Sequence, residues 1–351
     1  MLSLEEGGCR LYIPEEDRVY DTTKSCDFSG YRFLANSGKW FLAVDSRSRL
    51  VIIDVFSEER IDLPPLGSIK GDFHKVEAAG DKKFDVMFIE HIGFCSGVIK
   101  TVEDLRGLLW VDDKSGEYVV VWQFEGHEFV GYCKKGDDHY REIPTKIGVP
   151  RDLQGINDMV LKGYSLYWFT KREFVRHLDL SGEDGYKDVS ENHRLPMWMP
   201  TLGSKEECER LGAVKTIAGT INIAVTTSGE ALYVHSKAYE TSTLERPRTF
   251  HVYKRDPKDL HPSTNDTRLL ELDSLGDEAL FLDLGITVKV EAHHTIGIEP
   301  NYIYFTRGDR NRRRRVSCLD ICVYNLATKT NKRFPSLSNL KVKDAQWFLP
   351  S

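Results

Sequence analysis

Short apolar runs alternate with short polar clusters along most of this chain, and the runs have the length of strands. "KWFLAVDS" (39–46), "EYVVVWQF" (117–124), "SLYWFT" (165–170), "INIAVTT" (221–227), "ALYVHS" (231–236), "FHVYKRD" (250–256), "YIYFTR" (302–307) and "CLDICVYNL" (318–326) are rich in Val, Ile, Tyr, Phe and Trp. Gly, Ser, Asn, Asp and Lys separate them, which is the composition of strands joined by turns. One segment predicts a helix. "SKEECERLG" has Ser204 as N-cap, Glu207 three residues on as in a capping box, and Gly212 to close it. It lies between strand groups and reads as a loop ornament.

The strands recur in a patterned way. "VIIDVFSEERIDLP" places Asp54, Ser57 and Pro64 at the same offsets as Asn325, Thr328 and Pro335 in "CVYNLATKTNKRFP". An apolar strand ends at Asp or Asn, whose side chain bonds forward to the backbone and starts a turn. A second strand leaves, and proline ends it at a sheet edge. Weaker copies sit at Asp112/Ser115, Asp179/Ser181 and Asp256-Pro257. Units near 30–66, 105–143, 154–190, 212–273 and 277–335 result, with a wider spacing than the ~40–50 residues of WD40 or kelch repeats. Strand-like pieces at 9–13, 17–22 and 345–350 supply one more unit from both ends.

Four-stranded units that must stack to bury both faces predict an all-β fold, a β-propeller of about six antiparallel blades with the ring closed by the two termini. A seventh blade requires the poorly patterned 70–104 region to form its own. A β-sandwich is the second alternative. Residues 1–8 are expected to be a short tail and 9–351 a single propeller domain.

Composition trims the functional options. The chain has 351 residues and a formal charge of -6, which argues against nucleic acid as the main partner. No apolar run reaches membrane-spanning length, and the N-terminal residues carry no secretory or mitochondrial signal pattern. The seven cysteines (9, 26, 95, 133, 208, 318 and 322) are widely spaced, which fits reduced thiols in the cytoplasm or nucleus. Cys318 and Cys322 with His293 and His294 are a weak metal candidate, because adjacent residues of a strand face opposite sides. Trp40, Trp110, Trp122 and Trp168 fall within strand runs and are expected in blade cores.

No nucleophile elbow, zinc-protease, phosphate-loop or dinucleotide motif occurs, so no catalytic residue, metal ligand or cofactor is expected. Two features tempt. "RGDRNRRRRVSC" carries Arg312, Arg313, Arg314 and Arg315 in a row, a candidate for docking a partner, for nuclear import or for anion or RNA contact. "SKAYETSTLERPRTF" (236–250) is polar and is a candidate protruding loop.

"GKWFLAVDSRSRLVIIDVFSEERIDLPPL", "LLWVDDKSGEYVVVWQF", "GYCKKGDDHYREIP", "INDMVLKGYSLYWFT", "LDSLGDEALFLDLGITV" and the terminal "AQWFLPS" follow one another in an order that resembles the plant F-box-associated β-propeller family. The resemblance runs from about Cys9 to Ser351. It implies a protein-interaction propeller, the substrate-recognition part of F-box proteins in cullin-RING ubiquitin ligases. A Skp-type adaptor is implied as partner only where an F-box precedes the propeller, and this sequence shows no leucine-rich two-helix F-box pattern. A propeller enzyme acting on a glycan or small molecule, and an anion- or RNA-binding propeller using Arg312 to Arg315, are the alternatives.

Overall fold

The structure is a computed structural model. It describes residues 2–5, 8–13, 18–21, 28, 30–89, 95–126, 128–190, 205–241, 247–256, 258, 268–290, 297–306, 321–332 and 344–347. The described chain is almost entirely antiparallel β-sheet with a propeller-like arrangement of small sheets.

The first strands are β1 (Leu2–Glu5), β2 (Gly8–Ile13) and β3 (Arg18–Asp21). Then come β4 (Arg32–Ser37), β5 (Trp40–Val44), β6 (Leu50–Asp54) and β7 (Arg60–Asp62), a four-stranded sheet in chain order. β8 (His74–Ala78), β9 (Lys83–Ile89) and β10 (Cys95–Thr101) form a separate three-stranded sheet. β11 (Leu105–Asp112), β12 (Glu117–Phe124), β13 (Phe129–Lys134) and β14 (Arg141–Pro144) make the next four-stranded sheet. β15 (Asp158–Lys162), β16 (Ser165–Phe169), β17 (Val175–Asp179) and β18 (Lys187–Asp188) make another.

Helix α1 (Lys205–Leu211) follows, closed by Gly212 at φ +59°. The helix is where the pattern predicts it, while Ser204 lies outside the described residues. The remaining strands are β19 (Ala213–Val225), β20 (Ala231–Thr241), β21 (Arg248–Arg255), β22 (Leu269–Leu272), β23 (Glu278–Phe281), β24 (Ile286–Lys289), β25 (Tyr302–Thr306), β26 (Ile321–Asn325), β27 (Thr330–Lys332) and β28 (Asp344–Gln346).

Three features depart from the sequence reading. The first strand starts at Leu2, ahead of the expected start at Cys9, because Leu2 to Leu4 pair with Asp344 to Gln346 from the far end of the chain. The units expected at 212–273 and 277–335 join into one nine-stranded sheet. The join is narrow: Val225 pairs in parallel with Ile286, and its N–H donates to the Gly285 carbonyl at 2.7 Å. Gly285 has φ +68°, and a Cβ there would meet the Val160 side chain of β15 at 2.3 Å, so glycine fits both the turn and the close approach of β15. Third, most of the predicted 236–250 loop is strand. Residues 236–241 continue β20 and 248–250 begin β21, so polarity there marks an extended hairpin and not an irregular loop.

The packing explains why the middle strands read as continuous apolar runs. On β12, Val120, Trp122 and Phe124 enter one cluster with Leu42 and Ile52, while Val119 and Val121 enter another with Trp168 and Leu178. On β16, Leu166 and Trp168 face that second cluster, and Tyr167 and Phe169 face a third with Ile223 and Tyr233. Leu232 and Val234 then meet Ile303 and Phe305, and Tyr304 meets Tyr12 and Trp347. Strand alternation sends successive side chains to opposite faces, and here both faces are covered by neighbouring sheets. Trp122 and Trp168 are fully buried, Trp40 is buried and Trp110 is half-buried against Tyr164, all within sheet packing as expected.

The first strands of successive sheets lie side by side, β4 with β11, β11 with β15 and β15 with β19. Because β4 meets β11 directly, the β8–β10 sheet does not separate those two sheets. It packs against them through Val76, Phe84 and Val86.

Candidate functional site

The repeated Asx signature is a turn device. Asp54 Oδ1 accepts the N–H of Phe56 at 2.8 Å and of Ser57 at 3.2 Å. Asp112 accepts from the Lys114 N–H at 3.1 Å and the Ser115 hydroxyl at 2.6 Å. Asn325 accepts from the Thr328 N–H at 2.8 Å. The residue four places after each of these has positive φ: Glu58 at +65°, Gly116 at +66° and Lys329 at +58°. The three turns therefore share one backbone path, which the sequence shows only as an Asp/Asn-x-x-Ser/Thr spacing. Burial opposes the charge of Asp54, yet the Phe56 and Ser57 donors and Lys39 hold its pKa below the usual carboxylate value. These carboxylates serve the scaffold.

Arg312, Arg313, Arg314 and Arg315 lie outside the described residues, as do His293, His294 and Cys318. Thr306 and Ile321, the described residues on either side of the arginines, are paired in the β25–β26 ladder. Among the described residues, no group of three or more His, Cys, Asp or Glu is placed to hold a metal ion. Cys133 is fully buried, and burial pushes its thiol pKa well up, so it is inert scaffold.

A polar cluster that sequence reading missed lies where α1 covers the long β20–β21 hairpin. Even spacing puts His235, Lys237 and Tyr239 on one face of β20. The β21 residues paired across from His235 and Lys237 are His251 and Thr249. Glu207 of α1 enters this face. His251 donates through Nε2–H to Glu207 Oε1 at 3.0 Å and through Nδ1–H to Glu271 Oε1 on β22 at 2.7 Å. The Tyr239 hydroxyl donates to the other Glu207 oxygen. Since both ring nitrogens face carboxylate oxygens, the geometry favours the doubly protonated ring, in which both nitrogens donate.

The electrostatics agree with that geometry. Burial alone would raise the Glu207 pKa, but the bonds from His251 and Tyr239 and the charges of His251 and Lys237 bring it to about 2. Burial opposes the charge on His251 as well, and the bonds to Glu207 and Glu271 reverse that and raise its pKa above the ordinary value. Burial and the nearby Lys237 and His251 lower the pKa of His235. Both Glu207 oxygens are engaged by the protein's own donors, so the cluster holds structure together. Glu207 makes this contact, while Ser204, its expected capping-box partner, lies outside the described residues. No local spacing signals it, because the partners are 44, 32 and 20 residues apart.

Comparison with known proteins places this architecture. Residues 10–325 match the KIB1-4 beta-propeller family. The chain is 46% identical to the F-box protein At5g25290 of Arabidopsis thaliana, over 100% of this chain and 85% of that protein. It is 33% identical to the F-box protein KIB4 of the same plant, over 98% of this chain and 80% of that protein. Among solved structures, apo AztD from Citrobacter koseri aligns over 95% of this chain and 92% of its own at 10% identity and a TM-score of 0.29, which carries no argument.

Proposed function

The chain belongs to the KIB1-4 β-propeller family, and from that premise we propose that it is a protein-recognition propeller with no catalysis of its own. Its role is that of the target-selecting part of F-box proteins in cullin-RING ubiquitin ligases. The observation that carries this is the likeness along the whole chain to Arabidopsis proteins named as F-box proteins, at 46% and 33% identity. The scaffold suits it: sheets buried on both faces hold turns and loops in fixed positions, and recognition residues concentrate on such loops.

Six blades make the ring in this reading, and the β28–β1–β2–β3 sheet built from both termini closes it. Two contacts support the closure. The Asn36 side-chain amide on β4 donates to the Trp347 carbonyl at 3.0 Å, and Trp347 packs on Tyr304. The β8–β10 sheet is then an insertion outside the ring. Arg312 to Arg315 form a partner-docking patch, and the protein works in the cytoplasm or nucleus.

Affinity purification of the tagged product of the full-length transcript, read by mass spectrometry, tests the assignment. A Skp-type adaptor and a cullin are expected where the polypeptide carries an F-box, together with a target protein. Recovery of neither ligase component from a product that carries an F-box would overturn it. Replacing Arg312 to Arg315 with Ala is expected to weaken target recovery while leaving adaptor recovery intact. If both recoveries stay unchanged, the patch has no docking role.

A further inference from the structure

We propose that His251 is a proton-controlled latch that fastens helix α1 to the outer half of the β20–β21 hairpin. The latch is a chain of three residues from three elements, Glu207 on α1, His251 on β21 and Glu271 on β22, with His251 in the middle. Its side chain is buried to 13% exposure, and that of Glu207 to 14%, so water competes poorly for these bonds. Only a doubly protonated ring can donate to both carboxylates at once. A neutral ring keeps one N–H and turns a lone pair toward the other carboxylate, which converts an attraction into a repulsion.

The groups around the ring come from every element packed against it. On α1 they are Glu207, Cys208 and Arg210, the last 3.9 Å from Glu207 Oε1. On β20 they are His235, Lys237 and Tyr239, on β21 itself Tyr253, and on β22 Glu271. Lys237 and His235 face the ring without bonding it. The two carboxylates touch its nitrogens and favour its charge.

The direction of the response follows. The ring's folded pKa lies above its ordinary 6.5, so its contribution is complete below 6.5 and is lost as pH rises through the higher folded value. On the acid side, Glu207 contributes fully above its ordinary 4.5 and loses that contribution as pH falls toward about 2. The helix is therefore held most firmly between these ordinary values and loosens as pH rises through the ring's raised folded value. The device sits on one face: Leu232, Val234, Phe250 and Val252, on the opposite face of the hairpin, enter a separate apolar cluster with Ile303 and Phe305.

Hydrogen exchange read by mass spectrometry on the full chain tests the latch. After correction for intrinsic rates, exchange in residues 205–212 is expected to rise by about ten-fold or more between about pH 6 and about pH 9, with residues 119–122 unchanged. Glu207→Gln should abolish that step by leaving 205–212 exchanging fast at both values. The step should also coincide with the ring titration of His251 followed by NMR in the unaltered protein, which holds the test even if the variant does not fold. A flat profile for 205–212, a step retained in Glu207→Gln, or a step displaced from the His251 titration would each overturn the proposal.

Discussion

Two neighbouring sheets, β11–β14 and β8–β10, are built from similar residues and buried in different ways. In the first, alternate residues of β12 feed two apolar clusters, and every residue from Tyr118 to Phe124 is buried. In the second, Val76, Phe84 and Val86 face inward, while Ile89, Val98 and Ile99 are exposed. The first sheet is held by packing on both faces. The second is held by one apolar face and by a polar clamp. Glu142 of β14 accepts the N–H groups of Phe73 and His74 at 3.2 Å each and pairs with the His74 ring at 2.6 Å. His74 in turn stacks on Phe129 with ring centroids 4.5 Å apart. Cover by neighbouring sheets, more than composition, decides which sheet is core.

Trp122→Ala tests the two-sided sheet and carries the largest expected effect. Trp122 is fully buried and makes edge contacts with Phe124, Phe129 and Tyr140 at 5.4–5.8 Å. Gly131 gives it room, since a Cβ there would lie 2.5 Å from the indole. Its truncation is expected to cost about 4 kcal/mol in denaturant unfolding, with the whole chain losing stability together. A loss below about 1 kcal/mol would mean that the sheet is not two-sided core.

Glu142→Ala addresses the clamp. It leaves the Phe73 and His74 N–H groups and the buried His74 ring without their carboxylate partner, for an expected cost of about 3 kcal/mol. The loss should be local: exchange in residues 74–89 accelerates while 119–122 stays protected. Equal acceleration in both would break the distinction, because the β8–β10 sheet would then unfold only together with the β11–β14 sheet. Gly71 belongs to the same clamp, since a Cβ there would lie 1.9 Å from a Glu142 carboxylate oxygen.

This comparison also shows what the sequence made legible. Strands buried on both faces announce themselves, so β5, β12 and β16 are read almost to the residue from "WFLAV", "EYVVVWQF" and "SLYWF". Strands buried on one face and interrupted by charge do not, and "HKVEA" and "KFDVMFI" looked unpatterned. The Asx turns were legible because their bonds span two or three residues. The Glu142 clamp and the His251 latch were not, because their partners lie 68 and 44 residues apart and meet only once sheets stack. The polar spelling of 236–250 misled for the same reason: within it, the Tyr239 and Thr249 hydroxyls bond Glu207 of α1.

The smallest expected effect lies at β10, an edge strand of its sheet among the described residues. β10 pairs with β9 on one side, and its residues Val98 and Ile99 are 50% and 54% exposed. An open edge with exposed β-branched residues contributes little to folding and invites other strands to pair with it. Ile99→Thr keeps the β-branch and removes the apolar tip, so stability is expected to shift by less than about 0.5 kcal/mol. Light scattering at high concentration should show less self-association, with the thermal midpoint unmoved. A midpoint that falls as it does for Trp122→Ala would mean that this edge is covered core, and the contrast between the two sheets would fail at the point where it is sharpest.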